Sequence, residues 1–173
     1  MSVATGGLDF RDRSTSQEAS MRPIPALALT FSLVALPALA QDARQIERMI
    51  EGRHGLMTLM AHELGKLGGM AKEETPYDAE VAGKAASNLS ALASVISPEL
   101  FPKGSAVGEA EDSEALPAIW EKPDDFSQKI SGMEEAAAKM QAAAGTDLAS
   151  LQGAMRDLGA ACGSCHETYR QKD

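Results

Sequence analysis

The sequence has few aromatic residues and no cluster of basic ones. Only 4% of its 173 residues are aromatic, with one tryptophan, whereas alanine, leucine and methionine are abundant, and this composition favours helices over sheets. Glycine and proline do not form low-complexity tracts, which excludes a fibrous or disordered protein. The net charge of −9 argues against nucleic-acid binding, because phosphate contacts need clustered lysine and arginine.

The sequence also lacks the patterns that mark an enzyme. It contains no recognisable pair of catalytic carboxylates, no nucleophile beside its base and no glycine-rich phosphate loop. His54 and His62 lie eight residues apart in one predicted helix, and two histidines alone are too few ligands for a metal ion. We therefore predict that the protein is not an enzyme.

Residues 21–40 predict a signal peptide. A basic start precedes an apolar run at 24–36, and small residues then lead to a cleavage site before Gln41. A membrane anchor is the less favoured alternative, because the run is too short to cross a bilayer comfortably, and we expect no stable membrane insertion. We interpret residues 1–20 as lying ahead of the true start. The prediction is a periplasmic protein with a mature domain of residues 41–173.

Apolar residues recur at intervals of three and four in four segments of the mature domain, which predicts four amphipathic helices. These are expected from Asp42 to about Lys72, from Asp78 to about Ile96, from Asp124 or Asp125 through Met140, and from Thr146 or Asp147 through Cys162. Residues 97–123 hold four of the eight prolines and predict a long crossover with a short helical turn near 115–121. With no strand pattern, the expected fold is all-α, an antiparallel four-helix bundle.

The strongest motif is Cys162-Gly163-Ser164-Cys165-His166. Cys-x-x-Cys-His is typical of c-type haem attachment, in which the two thiols reach the porphyrin vinyl groups and the histidine binds the iron. Export agrees with this interpretation, since such haem is attached outside the cytoplasm. We predict one covalent haem c with His166 as its axial ligand.

Three alternatives would use the same two cysteines. A structural disulfide would not need His166, and a thioredoxin-like redox pair belongs at a strand-to-helix junction in a mixed fold. A zinc site would lack its fourth ligand, which His54 or His62 would have to supply.

With its haem motif at the end of the last helix, the sequence resembles the class II c-type cytochromes, the cytochrome c' family. The ending 167–170 and the segments 76–78, 100–105 and 119–120, followed by Phe126, look like landmarks of that family. The resemblance implies one haem inside a four-helix bundle, with Phe126 among the cofactor-binding residues. It also implies a homodimer formed through the first two helices.

The resemblance further implies roles for three residues outside the motif. Arg53 would lie near a haem propionate and Arg170 beside the proximal imidazole, although each has the alternative of a solvated surface residue. Met57 would face the distal side of the haem. There the family divides into high-spin members, which block the iron with an apolar residue, and low-spin members, which bind it through a methionine sulfur. Met57 has the further alternative of a simple core residue.

Three functions follow from these observations. The favoured one is one-electron transfer between periplasmic redox partners. The second is the binding of nitric oxide or carbon monoxide by a high-spin haem, and the third is a haem-free metal or redox protein of the envelope.

Overall fold

A computed structural model of the chain describes residues 35–172, and within that range the side chains of residues 42–172. The expectations for residues 1–20 and for most of the predicted signal peptide lie outside the described residues. The described residues form five α-helices and one short 3-10 turn. They are α1 Ala35–Ala71, α2 Ala79–Ala93, the 3-10 turn Pro98–Leu100, α3 Ala118–Glu121, α4 Pro123–Ala143 and α5 Leu148–Tyr169.

The four long helices α1, α2, α4 and α5 form an antiparallel four-helix bundle, as predicted. Each packs against its two neighbours in the cyclic order α1, α2, α4, α5. Tyr77, in the loop after α1, donates a hydrogen bond to the carbonyl of Ala144, in the loop before α5, at 3.0 Å. Gln152 near the start of α5 donates to the carbonyl of Ala71 at the end of α1, at 2.9 Å. The first bond joins the two short loops at one end of the bundle, and the second joins α5 to α1 at the same end.

Two aspartates begin helices as the sequence predicts. The carboxylate of Asp78 accepts hydrogen bonds from the first-turn amides of α2, at 2.9 and 3.0 Å, and that of Asp147 accepts from the amide of Ser150 at 2.7 Å. Such caps satisfy amides that have no partner within the helix. Asp42 does not cap α1, because the described residues that precede it, from Ala35 onward, are already helical.

The core consists of slender side chains, among which Leu67, Leu89, Met140, Leu151 and Leu158 are fully buried. The spacing of Val81 from Ala85 and Leu89 predicts that Val81 lies on the core face of α2, but 48% of it is exposed. It lies in the first turn of α2, where the core face is taken by Ala82, Ala85 and Ala86.

None of the helices in the described part of the chain has the length and apolar character needed to cross a membrane.

Residues 94–122, called the crossover segment below, connect α2 to α4 at the other end of the bundle. The segment includes the predicted short helical turn, which is α3. It also pairs with the tail that follows α5: the amide of Leu116 donates to the carbonyl of Tyr169 at 3.0 Å, and the amide of Gln171 donates to the carbonyl of Glu114 at 2.8 Å. This pairing brings the crossover segment against the helix end that carries the Cys-x-x-Cys-His motif.

Candidate haem site

The motif lies on the last turns of α5, which remain helical through Tyr169. Cys162 and Cys165 stand three residues apart and His166 follows four residues after Cys162, so all three lie on one face of the helix. Both cysteines are half-buried, and neither is in a disulfide. The helical conformation therefore presents two thiols and an imidazole to the same space.

That space is a cavity of about 310 Å³ at the crossover end of the bundle. Its volume is at the lower end of the ~300–1,000 Å³ common for small-molecule sites. The seven residues that the sequence nominated for the cofactor all line it: Arg53, Met57, Phe126, Cys162, Cys165, His166 and Arg170. The structure therefore brings together side chains that are separated by more than a hundred positions in the chain.

Most of the remaining wall is apolar. It includes Met60, Ala61, Leu64, Ile96, Phe101, Ala115, Ile119, Ile130, Met133 and Tyr169. Met60, Leu64 and Ile130 follow the helical spacing of apolar residues that predicts core positions. A wall of this kind excludes water and lowers the local dielectric constant, which strengthens the electrostatic interactions of any group inside.

Three polar residues of the wall were not nominated as cofactor residues. Glu114 comes from the crossover segment and Lys129 from α4, and neither belongs to a motif. His54 lies on α1 one position after Arg53 and also lines the cavity, whereas the exposed His62 does not. The distance of Glu114 and Lys129 from the motif along the chain explains why no sequence pattern signalled these two residues.

Burial controls the protonation of the motif. It raises the pKa of the Cys162 thiol. The pKa of the Cys165 thiol is raised mainly by burial and to a lesser extent by the neighbouring Cys162, while the positive charge of Lys129 has a smaller opposing effect. Burial and then the positive charge of Arg170 lower the pKa of His166. The thiols are thus protonated and the imidazole is neutral near pH 7, and neutral imidazole is the form that binds metal ions.

Arg53 is the most buried charged residue at the site, with only 5% of its surface exposed. Its guanidinium donates hydrogen bonds to neutral oxygens only: the carbonyl of Leu100 at 3.2 Å, Oγ of Ser105 at 3.0 Å and Oγ of Ser113 at 3.5 Å. It also lies 4.7 Å from the centre of the Phe101 ring. Burial lowers the pKa of Arg53, and within residues 42–172 the one ion pair joins Lys66 to Glu63. A buried cation without a carboxylate partner suits an anionic group of a ligand.

Aromatic side chains connect this region to α4 and α5. The ring of Phe126 packs edge-to-face against Phe101 at 4.9 Å and against Tyr169 at 5.1 Å between centroids. The hydroxyl of Tyr169 donates to the Asp125 carboxylate at 2.5 Å, and burial together with this bond raises the pKa of Tyr169 to about 12. These contacts hold the last turn of α5, which carries His166, against the start of α4.

Residues 48–170 match the family model described as Cytochrome C'. The chain belongs to the cytochrome c' family. Cytochrome c-554 from Cereibacter sphaeroides is 99% identical to it over 153 residues, which are 88% of this chain and all of that protein.

Solved structures of cytochrome c' proteins resemble the chain in fold. The structure of cytochrome c' from Rhodobacter spheriodes matches with a TM-score of 0.71 and 36% identity, over 74% of this chain and 98% of the other. A nitric oxide complex of a variant of cytochrome c' from Alcaligenes xylosoxidans matches with a TM-score of 0.65 and 32% identity, over 73% of this chain and 97% of the other.

As a member of the cytochrome c' family, the chain has one covalently attached haem c as its cofactor. The residues of the cavity fit this group on three counts. Two free thiols lie at helical spacing beside a neutral imidazole, the walls are largely apolar, and a buried guanidinium is available for a carboxylate. The haem-free function that the sequence left open is therefore excluded.

Proposed function

We propose that this cytochrome is a periplasmic one-electron carrier. In this proposal Cys162 and Cys165 hold the haem through thioether bonds and His166 is an axial ligand of its iron. The haem supplies reversible one-electron oxidation and reduction. The observation that carries the proposal is that the sulfur-bearing side chain of Met57, on α1, lines the same apolar cavity as His166, on α5.

Met57 is more exposed than the other methionines whose side chains the structure describes, of which Met49 and Met155 are partly buried. Met60, Met70, Met133 and Met140 are buried, with at most 6% of their surface exposed, whereas Met57 is 36% exposed. Its side chain is therefore not buried in the core, and it is available to contact a group bound in the cavity. A methionine thioether opposite a histidine is a known haem ligation, and it raises the reduction potential, as suits an electron carrier. We infer that Met57 is the sixth ligand.

The other residues of the cavity would orient the group and adjust its electronic properties. Arg53 would bind a haem propionate. Its positive charge is free for this role, because no carboxylate among the described residues forms an ion pair with it. Arg170, at the rim, adds positive charge near His166, and Phe126 contributes an apolar wall. Apolar side chains around the haem and positively charged side chains near it both favour the reduced iron, because the reduced form carries less positive charge.

Gas binding is the second candidate. The nitric oxide complex of the Alcaligenes xylosoxidans protein supports it, because that protein shares the fold and about a third of the sequence. For this chain it requires Met57 to cover the iron as an apolar residue without binding it. The iron would then be five-coordinate and high-spin, and open to small gases.

Replacing Met57 with leucine distinguishes the two candidates. We expect ferric wild-type protein to be low-spin with a sulfur-to-iron charge-transfer band, and Met57→Leu to lose that band, become high-spin and fall in reduction potential. Absorption and electron paramagnetic resonance spectra measure this. Met60→Leu removes the other cavity-lining sulfur of α1 and should keep the low-spin spectrum. A high-spin wild-type spectrum, unchanged in Met57→Leu, with nitric oxide binding to the reduced protein, would favour gas binding.

Export and redox partners belong to the same proposal. We infer that residues 21–40 are removed as a signal peptide, so that residues 41–173 act in the periplasm. From Met21 to Asp173 the chain has 153 residues, the number over which the Cereibacter sphaeroides relative matches in full. This agreement supports a start at Met21, with residues 1–20 outside the natural protein. The net charge of −9 would favour partners with basic surfaces.

A homodimer through α1 and α2 is also part of the proposal. Leu59 on α1 and Val95 after α2 are 55% and 57% exposed, and such apolar residues are common at interfaces. The hydrogen bond from Asn88 to Glu63, at 3.1 Å, links α2 to α1 and helps to fix the register of this helix pair.

The double variant Leu59→Glu/Val95→Glu tests the dimer. We expect it to sediment as a monomer at concentrations where the wild type is a dimer, because four carboxylates would then meet at the interface. Ala138→Glu, at an exposed position of α4, is the control and should remain dimeric. A wild type that sediments as a monomer at high micromolar concentration would contradict the dimer.

A further inference from the structure

Two buried serines of the crossover segment hold the guanidinium of Arg53. Ser105 is fully buried and Ser113 is 7% exposed, and neither lines the cavity. Both hydroxyls accept hydrogen bonds from Arg53, which itself lines the cavity. The two serines therefore contact the Arg53 guanidinium from outside the cavity.

The hydroxyl of Ser113 uses all of its hydrogen-bonding capacity. It donates to the carbonyl of Ser105 at 2.6 Å and accepts from the amide of Ala115 at 3.2 Å, in addition to the bond from Arg53 at 3.5 Å. One donor and two acceptors are the full complement of a hydroxyl. The preceding Asp112 has a φ of 58°, a left-handed conformation that aspartate tolerates better than most residues. The backbone thus turns sharply immediately before Ser113.

The segment that Ser113 anchors also holds the end of α5. The carbonyl of Ala115 accepts from the amide of Val107 at 2.8 Å, which closes the turn on itself. On its other side, Glu114 and Leu116 form the hydrogen bonds to Gln171 and Tyr169 described above. These bonds lie three to five residues after His166, whose own carbonyl accepts from the amide of Arg170 at 3.2 Å.

We propose that Ser113 is a positioning residue that couples Arg53, which lines the cavity, to the end of α5 that carries His166. The Ser113 side chain does not line the cavity. Its hydroxyl orients the guanidinium, and its hydrogen bonds to Ser105 and Ala115 hold the crossover segment in the conformation that pairs with the tail of α5. Through these two connections one hydroxyl affects both the charge near the haem and the orientation of its axial histidine. This inference rests on the proposed axial role of His166.

The test uses the haem-loaded full chain with Ser113→Ala and Ser113→Thr. Ser113→Ala leaves the Ser105 carbonyl and the Ala115 amide without a buried partner. We expect the amides of Leu116 and Gln171 to exchange with deuterium about tenfold faster, because the pairing opens more readily. We also expect the reduction potential to fall, since a displaced guanidinium no longer favours reduced iron. Ser113→Thr keeps the hydroxyl and should restore both quantities toward the wild-type values.

Ser105→Ala separates the two connections. It removes only the hydroxyl that accepts from Arg53 and keeps the backbone carbonyl to which Ser113 donates. We expect a lower potential with unchanged exchange at Leu116 and Gln171. The control is Ser131→Ala on α4, whose exposed hydroxyl donates only to the carbonyl of Ser127 and which should change neither quantity.

Two results would overturn the coupling. The first is a Ser113→Ala protein with faster amide exchange but wild-type potential and electron paramagnetic resonance spectrum, since Ser113 would then have only a structural role. The second is a Ser113→Thr protein that does not recover. Failure of the underlying proposal is distinguishable, because the wild type itself would then lack the spectrum of histidine-ligated iron.

Discussion

Replacing both Cys162 and Cys165 with alanine should abolish covalent haem in the mature protein. In the proposed attachment the two thioether bonds are the only covalent links to the chain, so any haem left in the cavity would be held by iron ligation and non-covalent contacts alone. Acid–acetone would extract all pigment from the double variant and none from the wild type. Cys165→Ala, with one thioether left, should retain haem weakly.

Intact mass spectrometry makes this measurement quantitative. The wild type should show one haem added to a chain that begins at Gln41, and the double variant only the chain. Gly163→Ala is a suitable control, because a Cβ at this position meets no atom within 4 Å and the spacing of the motif is kept. Wild-type protein that loses its pigment to acid–acetone would contradict the assignment of the two cysteines, and a different first residue would contradict the assigned cleavage site.

Arg53→Leu should lower the free energy of unfolding of the haem-loaded protein by roughly 3 kcal/mol. Three oxygens, at Leu100, Ser105 and Ser113, lose their charged donor, and the two serines are buried. The contact with the Phe101 ring also disappears. If Arg53 also binds a propionate, the variant leaves that carboxylate unpaired. Unfolding in guanidinium chloride, followed by absorption of the haem, measures the loss.

Two further variants separate charge from geometry. Arg53→Lys keeps a positive charge but cannot donate to Ser105 and Ser113 in the fork arrangement of a guanidinium, so we expect an intermediate loss. Arg48→Leu removes an exposed arginine of the same helix and should change stability by less than about 0.5 kcal/mol. A similarly small effect of Arg53→Leu would show that the buried network contributes little.

Local patterns predicted the elements of the fold well. Asp78 was recognised as a helix start, and Asp147 as one of two candidates, because capping depends on residues only two or three positions apart. The start of α1 was predicted too late, since the alanines and leucines assigned to the signal peptide also favour helix. Val81 was placed on the wrong face because amphipathic spacing does not reveal which neighbouring helix covers the first turn.

The candidate site divides in the same way. The sequence by itself determined the two thiols, the imidazole and their common helix face, because their spacing is a property of a single α-helix. Packing decided that Arg53 and Met57 reach the same cavity, and that Arg53 is buried among serine hydroxyls rather than solvated. Those positions depend on the course of the crossover segment, whose contacts join residues about fifty positions apart. Contacts of that range arise only when the whole bundle closes.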